Sequence, residues 1–318
     1  MAALLKSSSL LVVLMCLPAA AAPKAKAGAP AKDAKTLPVG KAPSACGAKI
    51  IPLAVGNEWT YMAVGARDPK TGVDILPDDS IKAFVPKQPK SVVVTVKSID
   101  APKGNDKNAD TTVTLEEKYV IDLTKVKDEK PVLWDRTITT TITCNAKKFD
   151  ISPDSFFFAG EPGGYFDLKF DKLERTKGTS MQLTNGTIGE QAWPEDIVAH
   201  WTRTATPGSN AQLGSGKLEL ERRFQPQPQE RVNTKVGVFT TEKLGLKTTG
   251  RVTLDNTAPD LPPDWTSIDK TCQATPAGLK CELPANWITT MWIAPNTGVI
   301  ATLNPYAHMY QLTDAKLK

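Results

Sequence analysis

The sequence predicts a mainly β protein with one large, curved antiparallel sheet, half-barrel-like or sandwich-like, and few short helices. Many segments are rich in Val, Ile and Thr and alternate apolar with polar side chains, which is typical of strands with one buried and one solvent-facing side. No window keeps an amphipathic helical period for three turns. A folded body of roughly 270 residues is long for one β domain, so a division into two halves near residue 185 is the alternative.

The N-terminus has the layout of a secretory signal peptide over residues 1–21. Lys6 supplies the positive start, residues 10–17 the apolar run, and Ala19 and Ala21 the small residues of a cleavage site. The pattern predicts an exported bacterial protein of the periplasm or the extracellular space. The apolar run is far shorter than the roughly 20 residues of a membrane span, and we expect no membrane span elsewhere.

Cys16 offers an alternative, in which the chain is lipidated as a bacterial lipoprotein. That processing requires small residues before the cysteine, whereas Leu14 and Met15 stand there. Ordinary secretion is the favoured interpretation.

Residues 22–45 are mostly Ala, Pro and Lys. They predict a disordered tether, because such a segment has too little apolar surface to offset its ordering entropy.

The net charge of +5 belongs to this tail and to Lys6, since basic and acidic residues are otherwise equal in number. The body, residues 46–318, is therefore neutral. This argues against nucleic acid as a partner, which requires basic residues gathered on a folded face.

Four cysteines remain after the signal peptide, and an even number in an exported chain predicts disulfides. Cys272 and Cys281 flank a short loop, so we pair them across a hairpin. Cys46 is then paired with Cys144, which joins the start of the body to a strand far along the chain.

The body opens with residues 51–65, where a Gly-Asn turn precedes a strand with Trp59 and Tyr61 on one face. We expect both rings in the core. We also expect this strand to pair with the strands around Trp292 and Gly298, which would bring the two ends of the body together.

The later strands are predicted from the same alternation. Prolines mark residues 225–229 and 257–265 as surface loops. Short helical pieces are predicted at residues 151–158 and 192–199, where Pro194 suits an N-terminal turn. The predicted strands cover residues 91–99, 111–123, 132–144, 165–173, 200–205, 217–224, 235–244, 248–254, 289–294 and 298–303.

Three short motifs are spread across the body. They are Pro52-Leu-x-x-Gly56-x-x-Trp59-x-Tyr61, Gly237-x-Phe239-x-x-x-Lys243-Leu244 and Trp292-x-Ala-Pro295-x-x-Gly298-x-Ile300. In their order they resemble a loose group of largely uncharacterised bacterial exported proteins. Some of that group are similar to the half-barrels that carry lipoproteins or lipids across the periplasm. The resemblance implies a half-open antiparallel sheet with an apolar concave face, and it implies no catalytic residues.

Aromatic side chains are the candidate ligand-binding residues. Trp193, Trp265 and Trp287 lie by predicted loops and are candidates for an exposed platform. The tryptophans inside predicted strands are expected in the core; they are Trp59, Trp134, Trp201 and Trp292. Another set, Phe156, Phe157 and Phe158, cannot all point inward on a strand. At least one of these rings is expected to line a groove or an edge, or to contact a partner.

Asp106, Asn108, Asp110 and Glu117 match positions one, three, five and twelve of an EF-hand calcium loop. Thr111 stands at position six, where such a loop requires glycine. The flanking segments are predicted to be strands, whereas an EF-hand requires helices. A polar hairpin tip is the favoured interpretation, with a looser metal site between two strands as the alternative.

Recognisable catalytic motifs are absent from the sequence. It has two distant histidines, His200 and His308, and no zinc-finger, metalloprotease or Cys-x-x-Cys spacing. It also has no Gly-x-Ser-x-Gly nucleophile elbow. We therefore expect no cofactor and favour a non-catalytic protein over an enzyme.

The leading hypothesis is a non-catalytic exported envelope protein. It would bind an apolar ligand, such as a lipid, or another envelope component, a protein or a polysaccharide. One alternative is a secreted hydrolase whose carboxylates converge only in the folded chain, which requires two carboxylates facing each other in a cleft. Another is a carbohydrate-binding module, which requires a row of exposed tryptophan rings.

Overall fold

The computed structural model describes residues 37–64, 89–102, 109–122, 133–158, 168–203, 215–257, 271–276, 278–304 and 309–318. Two short 3-10 turns, Ala45–Gly47 and Phe156–Phe158, are the helical elements of this part of the chain. The strands are β1 Glu58–Ala63, β2 Ser91–Asp100, β3 Thr111–Asp122, β4 Leu133–Asn145, β5 Lys148–Ile151, β6 Leu168–Gly178, β7 Met181–Thr184, β8 Thr187–Ile188, β9 Trp193–Arg203, β10 Ser215–Thr234, β11 Gly237–Thr257, β12 Thr271–Thr275, β13 Gly278–Ala294, β14 Gly298–Leu303 and β15 Met309–Lys316.

These strands form one large antiparallel sheet that is not closed into a barrel, which confirms the predicted fold class. The hydrogen-bonded order is β6-β9-β10-β11-β13-β14-β15-β1-β2-β3-β4-β5-β7-β8, and β12 pairs with β13. Most neighbours are consecutive hairpins. The first strand lies beside the last, because β1 pairs with β15 from Glu58 opposite Lys316 to Ala63 opposite Tyr310.

The sheet curls so far that its two ends approach each other. β6 stands at one end of the hydrogen-bonded order and β7 near the other, yet Gly178 and Met181 are three residues apart. Three steps of extended chain reach about 11 Å at most, so these strand ends lie within that distance. Arg175 of β6 bridges them, since its guanidinium lies 3.6 Å from the Asp150 carboxylate and 2.5 Å from the Ile151 carbonyl oxygen of β5.

One face of the sheet carries most of the buried side chains, and we call it the inner face. On β10, Leu218, Leu220 and Phe224 are buried, whereas Glu221 and Arg223 between or beside them are exposed. This alternation follows from the two-residue period of a strand. We call the more exposed side the outer face.

The opening segment of the body is part of the core, as predicted. Trp59 and Tyr61 are fully buried. The Trp59 indole nitrogen donates to the Thr297 carbonyl oxygen at 2.6 Å, and the Tyr61 hydroxyl donates to that of Val299 at 3.0 Å. The expected strand pairing is wrong, however, because β1 hydrogen-bonds to β2 and β15. Side chains, and not a backbone ladder, make the contact with the turn between β13 and β14.

Two segments differ from the predicted local structure. Residues 225–229 lie inside β10 instead of in a loop, and the ladder between β10 and β11 has a bulge between Gln227 and Glu230 that absorbs the proline-rich segment. Residues 192–199 begin β9 instead of a helix. Trp193, Ile197 and Ala199 are buried at a two-residue period, which outweighs the helix-start signal of Pro194. At residues 151–158 the short helical piece is the 3-10 turn Phe156–Phe158.

Both predicted disulfides are present, Cys46 with Cys144 and Cys272 with Cys281. The first fixes the 3-10 turn Ala45–Gly47 to β4.

The last part of the predicted tether, residues 37–45, lies against the body. The Gly40 amide donates to the Asn296 carbonyl oxygen at 2.7 Å, and the Lys41 amide donates to that of Lys318 at 2.6 Å. The rest of that segment and the predicted signal peptide lie outside the described residues.

Candidate functional site

Phe156, Phe157 and Phe158 are all buried, at 8 %, 0 % and 1 % exposure. The expectation that at least one ring reaches a groove, an edge or a partner assumed a strand and is wrong, because the three residues form a 3-10 turn inside the curled sheet. The Phe156 ring lies 4.6 Å from that of Tyr61, and the Phe157 ring lies 5.7 Å from that of Trp59. Ligand binding by these residues stays a prediction.

A buried carboxylate holds the start of this turn. Glu117 of β3 is fully buried and accepts hydrogen bonds from the hydroxyls of Tyr119 at 2.5 Å, Ser155 at 2.6 Å and Thr140 at 2.8 Å. It also accepts the backbone N–H of Phe156 at 2.9 Å. Removal from water raises the pKa of Glu117, and the four donors oppose that rise. Burial, followed by the nearby Glu117 charge, raises the pKa of Tyr119 well above its ordinary value.

A buried ion pair holds the other end of the turn. Arg222 of β10 is 1 % exposed; its Nη1 lies 2.5 Å from a Glu195 carboxylate oxygen, and its Nη2 donates to the Phe158 carbonyl. The guanidinium also lies 3.6 Å from the centre of the Phe158 ring. Arg175 at 2.8 Å and the Ser180 hydroxyl at 2.7 Å contact the second Glu195 oxygen. Burial lowers the pKa of Arg222.

Glu117 and Glu195 are the fully buried carboxylates of the described residues. Protein donors occupy the oxygens of both, and these contacts hold the two ends of the turn Phe156–Phe158. They do not face each other across an open cleft, which is the arrangement that glycoside hydrolysis requires.

The candidate metal ligands do not converge where they can be located. Asp110 is exposed and precedes β3, where it accepts a hydrogen bond from the Asn145 amide at 2.8 Å. Glu117 is seven residues further along the same extended chain, roughly 23 Å away, so the two cannot bind one ion. Asp106 and Asn108 lie outside the described residues. Within the part of the chain that the structure describes, no group of three metal-ligating side chains occurs.

The tryptophans expected in the core are there, with Trp59, Trp201 and Trp292 at most 2 % exposed and Trp134 partly buried against the core. Trp193, expected on an exposed platform, is 4 % exposed and stacks on Phe224 at 5.1 Å. That expectation is wrong for Trp193, because it begins strand β9 instead of a loop. Trp287 lies within β13. Trp265 is outside the described residues.

A groove of about 490 Å³ lies on the sheet at β9, β10, β11 and β13. Strand register places Pro194, Arg223, Lys247 and Ile288 side by side across these strands. Adjacent strands lie roughly 4.8 Å apart, so the row extends over roughly 14 Å. Ile288 is 70 % exposed, which places this row on the outer face.

Small residues lie beside this row. Gln225 pairs with Gly245, and a Cβ on Gly245 would lie 2.5 Å from the amide nitrogen of Gln227. Ala192, next to the start of β9, also borders the groove with a small side chain. Other bordering residues, namely Trp193, Phe224 and Leu246, have buried side chains. The outer-face side chains are therefore the ones that a ligand meets.

The groove is positively charged. Among the described residues that border it, none is acidic and three are basic: Lys177, Arg223 and Lys247. Arg223 is partly neutralised, since it lies 2.7 Å from a carboxylate oxygen of Asp196 and 3.6 Å from one of Glu221. Neither lysine forms an ion pair with another described residue. Sequence reasoning had singled out Trp193 and Pro194 among the bordering residues, and it had not proposed a groove there.

Among the described residues, no helix has the length and apolar composition needed to cross a membrane. No family model matches the chain. No curated protein matches it either.

Two solved structures are similar in part. One is a protein of Bacteroides fragilis NCTC 9343, described as exported with a YmcC-like fold, with a TM-score of 0.43 and 13 % identity. The other is a protein of Parabacteroides distasonis ATCC 8503, described as a lipoprotein, with a TM-score of 0.38 and 10 % identity. Each comparison covers 85 % of this chain and 99 % of the other.

Proposed function

We propose that this chain is an exported, non-catalytic envelope protein that holds another envelope component in the outer-face groove. The signal-peptide pattern over residues 1–21 supports export to the periplasm or the extracellular space. The groove supports binding, because its volume of about 490 Å³ falls within the range of ligand sites, roughly 300–1,000 Å³. The groove is the observation that carries the proposal.

The inner face is a weaker candidate for the ligand site. Its described part is filled by side chains, with Trp59, Tyr61 and Phe157 at 0 % exposure and their rings in mutual contact. A ligand there would have to displace these rings and break the hydrogen bonds of Trp59 and Tyr61 to β14 and its preceding turn. The proposal therefore departs from the apolar concave site that the family resemblance implies.

Filling the groove at its floor tests the proposal. Gly245→Val adds a side chain where the nearest atom is the end of the flexible Gln227 side chain, and valine suits a strand. Thr249→Val is the matched control, because residue 249 lies on the same face of β11, four residues away. Circular dichroism and melting temperatures should show that both variants keep the fold.

The readout is retention of envelope material by the immobilised protein without residues 1–21. Lipid and polysaccharide extracts of the source bacterium are passed over wild type and both variants, and the retained material is quantified by mass spectrometry. We expect wild type and Thr249→Val to retain one component, and Gly245→Val to retain at least roughly tenfold less. Equal retention by Gly245→Val, or none by wild type, would overturn the proposal.

A further inference from the structure

We propose that the ligand of the groove is an acidic saccharide, that is, a sugar chain bearing carboxylate or phosphate groups. This inference rests on the proposed function and names the chemical class of its ligand. It is carried by two basic side chains of the groove that form no ion pair with a described residue, by its amide side chains and by the pairing of its three central strands.

The charge selects an anionic ligand. Lys177 and Lys247 have no ion-pair partner among the described residues, and Arg223 shares its charge with Asp196 and Glu221. Lys177 of β6 and Lys247 of β11 are separated by β9 and β10, so each lysine would meet its own acid group on an extended ligand, and neither contact would break an ion pair between described residues. Arginine and lysine both donate hydrogen bonds to carboxylates and phosphates.

The remaining side chains suit hydroxyl-rich rings better than an acyl chain. Gln225 and Gln227 border the groove, and each carboxamide both donates and accepts hydrogen bonds, as sugar hydroxyls do. The apolar contribution of the outer-face side chains is limited to Ala192, Pro194 and Ile288. Three small apolar surfaces can contact the C–H face of a sugar, but they cannot bury a lipid tail, which gains its affinity in proportion to apolar area.

The pairing of the three central strands, β9, β10 and β11, argues against an acidic peptide. Peptides commonly bind a sheet by adding a strand to an open edge. Of the strands that carry the groove, β9 is paired with β6 and β10, β10 with β9 and β11, and β11 with β10 and β13. On these three strands, which carry the centre of the groove, the backbone groups for strand addition are therefore already used.

Titration calorimetry with defined probes tests the inference. The probes are an oligogalacturonate, a phosphomannan fragment, a neutral malto-oligosaccharide of similar length, a glutamate-rich peptide and phosphatidylglycerol vesicles. We expect wild type to bind at least one of the two acidic saccharides, and neither the neutral sugar, the peptide nor the vesicles. Raising the salt from about 0.01 M to about 0.15 M shortens the Debye length from roughly 30 Å to roughly 8 Å, and the affinity should fall.

Charge-matched variants locate the binding. Lys177→Gln/Lys247→Gln should weaken affinity roughly fivefold or more, as expected for two surface charge contacts. Lys235→Gln removes an exposed lysine at the turn between β10 and β11, away from the groove, and should leave the affinity unchanged. The Gly245→Val variant should also lose binding.

Several outcomes would overturn the inference. Binding of the neutral sugar as tight as that of the acidic ones would remove the role of charge, and binding of the vesicles or the peptide alone would identify a different class of ligand. If Lys235→Gln and the double variant lose the same amount of affinity for the acidic saccharide, the effect of charge is non-specific. Suppose that neither acidic saccharide binds, while Gly245→Val still retains less of an envelope component than wild type does in the extract experiment. The inference then fails and the proposed function stands.

Discussion

The indole nitrogen of Trp59 donates a hydrogen bond to the carbonyl oxygen of Thr297, 2.6 Å away in space and 238 residues later in sequence. The next residue, Gly298, has a φ of 107°, and a Cβ there would lie 3.0 Å from the same nitrogen. A side chain at residue 298 would therefore be strained in its backbone and crowded against Trp59. The contact fixes the first strand to the turn between β13 and β14.

Trp59→Ala should lower the free energy of unfolding by about 3–5 kcal/mol, because it empties a core aromatic site. Trp59→Phe should cost less, about 1–3 kcal/mol, since it keeps most of the apolar volume and leaves the Thr297 oxygen without its donor. Urea denaturation measures both. Val55→Ala, at an exposed position of the adjacent turn, is the control. An unchanged unfolding midpoint for Trp59→Ala would contradict its place in the core.

Glu117 should make stability fall as the pH rises above the ordinary glutamate range. Because burial raises its pKa in the folded protein, the folded state binds this proton more tightly than the unfolded chain does. This stabilisation is fully present below the pKa of glutamate in the unfolded chain, about 4.3. It is lost as the pH rises through the higher pKa that Glu117 has in the folded protein.

Comparison with Glu117→Gln, which carries no charge at any pH, isolates this contribution. The free energy of unfolding is measured for both proteins by urea denaturation between pH 4 and pH 8. The value for wild type minus the value for Glu117→Gln should decrease as the pH rises. Glu116→Gln, on the same strand and the opposite face, controls for the loss of a carboxylate. A difference that grows with pH would show that the pKa of Glu117 is lowered by folding.

The two disulfides should contribute unequally. Cys46 and Cys144 are 98 residues apart, whereas Cys272 and Cys281 are 9 apart. From the loss of chain entropy in the unfolded state, the disulfide that closes the long loop should raise the free energy of unfolding by about 4.7 kcal/mol. The disulfide that closes the short loop should raise it by about 2.6 kcal/mol. Replacing each pair by alanine and measuring denaturant unfolding should show the larger loss for Cys46→Ala/Cys144→Ala. The reverse order would contradict the entropic explanation for this protein.

Neighbouring arginines on β10 should differ sharply in their effect on stability. Arg222→Met removes the partner of the buried Glu195 carboxylate and the donor to the Phe158 carbonyl, and it should cost about 3–5 kcal/mol. Arg223→Met removes an arginine with 45 % side-chain exposure and a surface contact worth about 0–1 kcal/mol. Chemical denaturation of the two variants in parallel measures the contrast. Similar losses would mean that the ion pair on the inner face is not the source of the effect.

Much of the fold could be predicted because alternation is a local property of the chain. Residues 91–99 and 111–123 became β2 and β3 with nearly the same bounds. Two predicted strands, residues 235–244 and 248–254, are one continuous β11, because Gly245 keeps extended backbone and does not interrupt the pairing. β15 was missed because Met309 and Tyr310 are buried in succession, which breaks the two-residue period at its start.

The groove could not be predicted from local sequence. Its residues come from five strands between positions 177 and 288, and they share only their position on the outer face after the strands have paired. Gly245 borders the groove, and a single glycine within a strand has no periodicity to reveal such a role. The burial of Phe156 and its two neighbours likewise depends on the curl of the sheet around them, which is a property of the whole chain.

The pairing of β1 with β15 should be a late step in folding. Lys316 and Glu58 form an ion pair across 258 residues of sequence, and contacts between such distant residues form slowly because they close a large loop. Until Met309–Lys316 has been synthesised, β1 has one open edge, and an open edge invites pairing with other chains. That edge of β1 is covered only when Met309–Lys316 has paired with it.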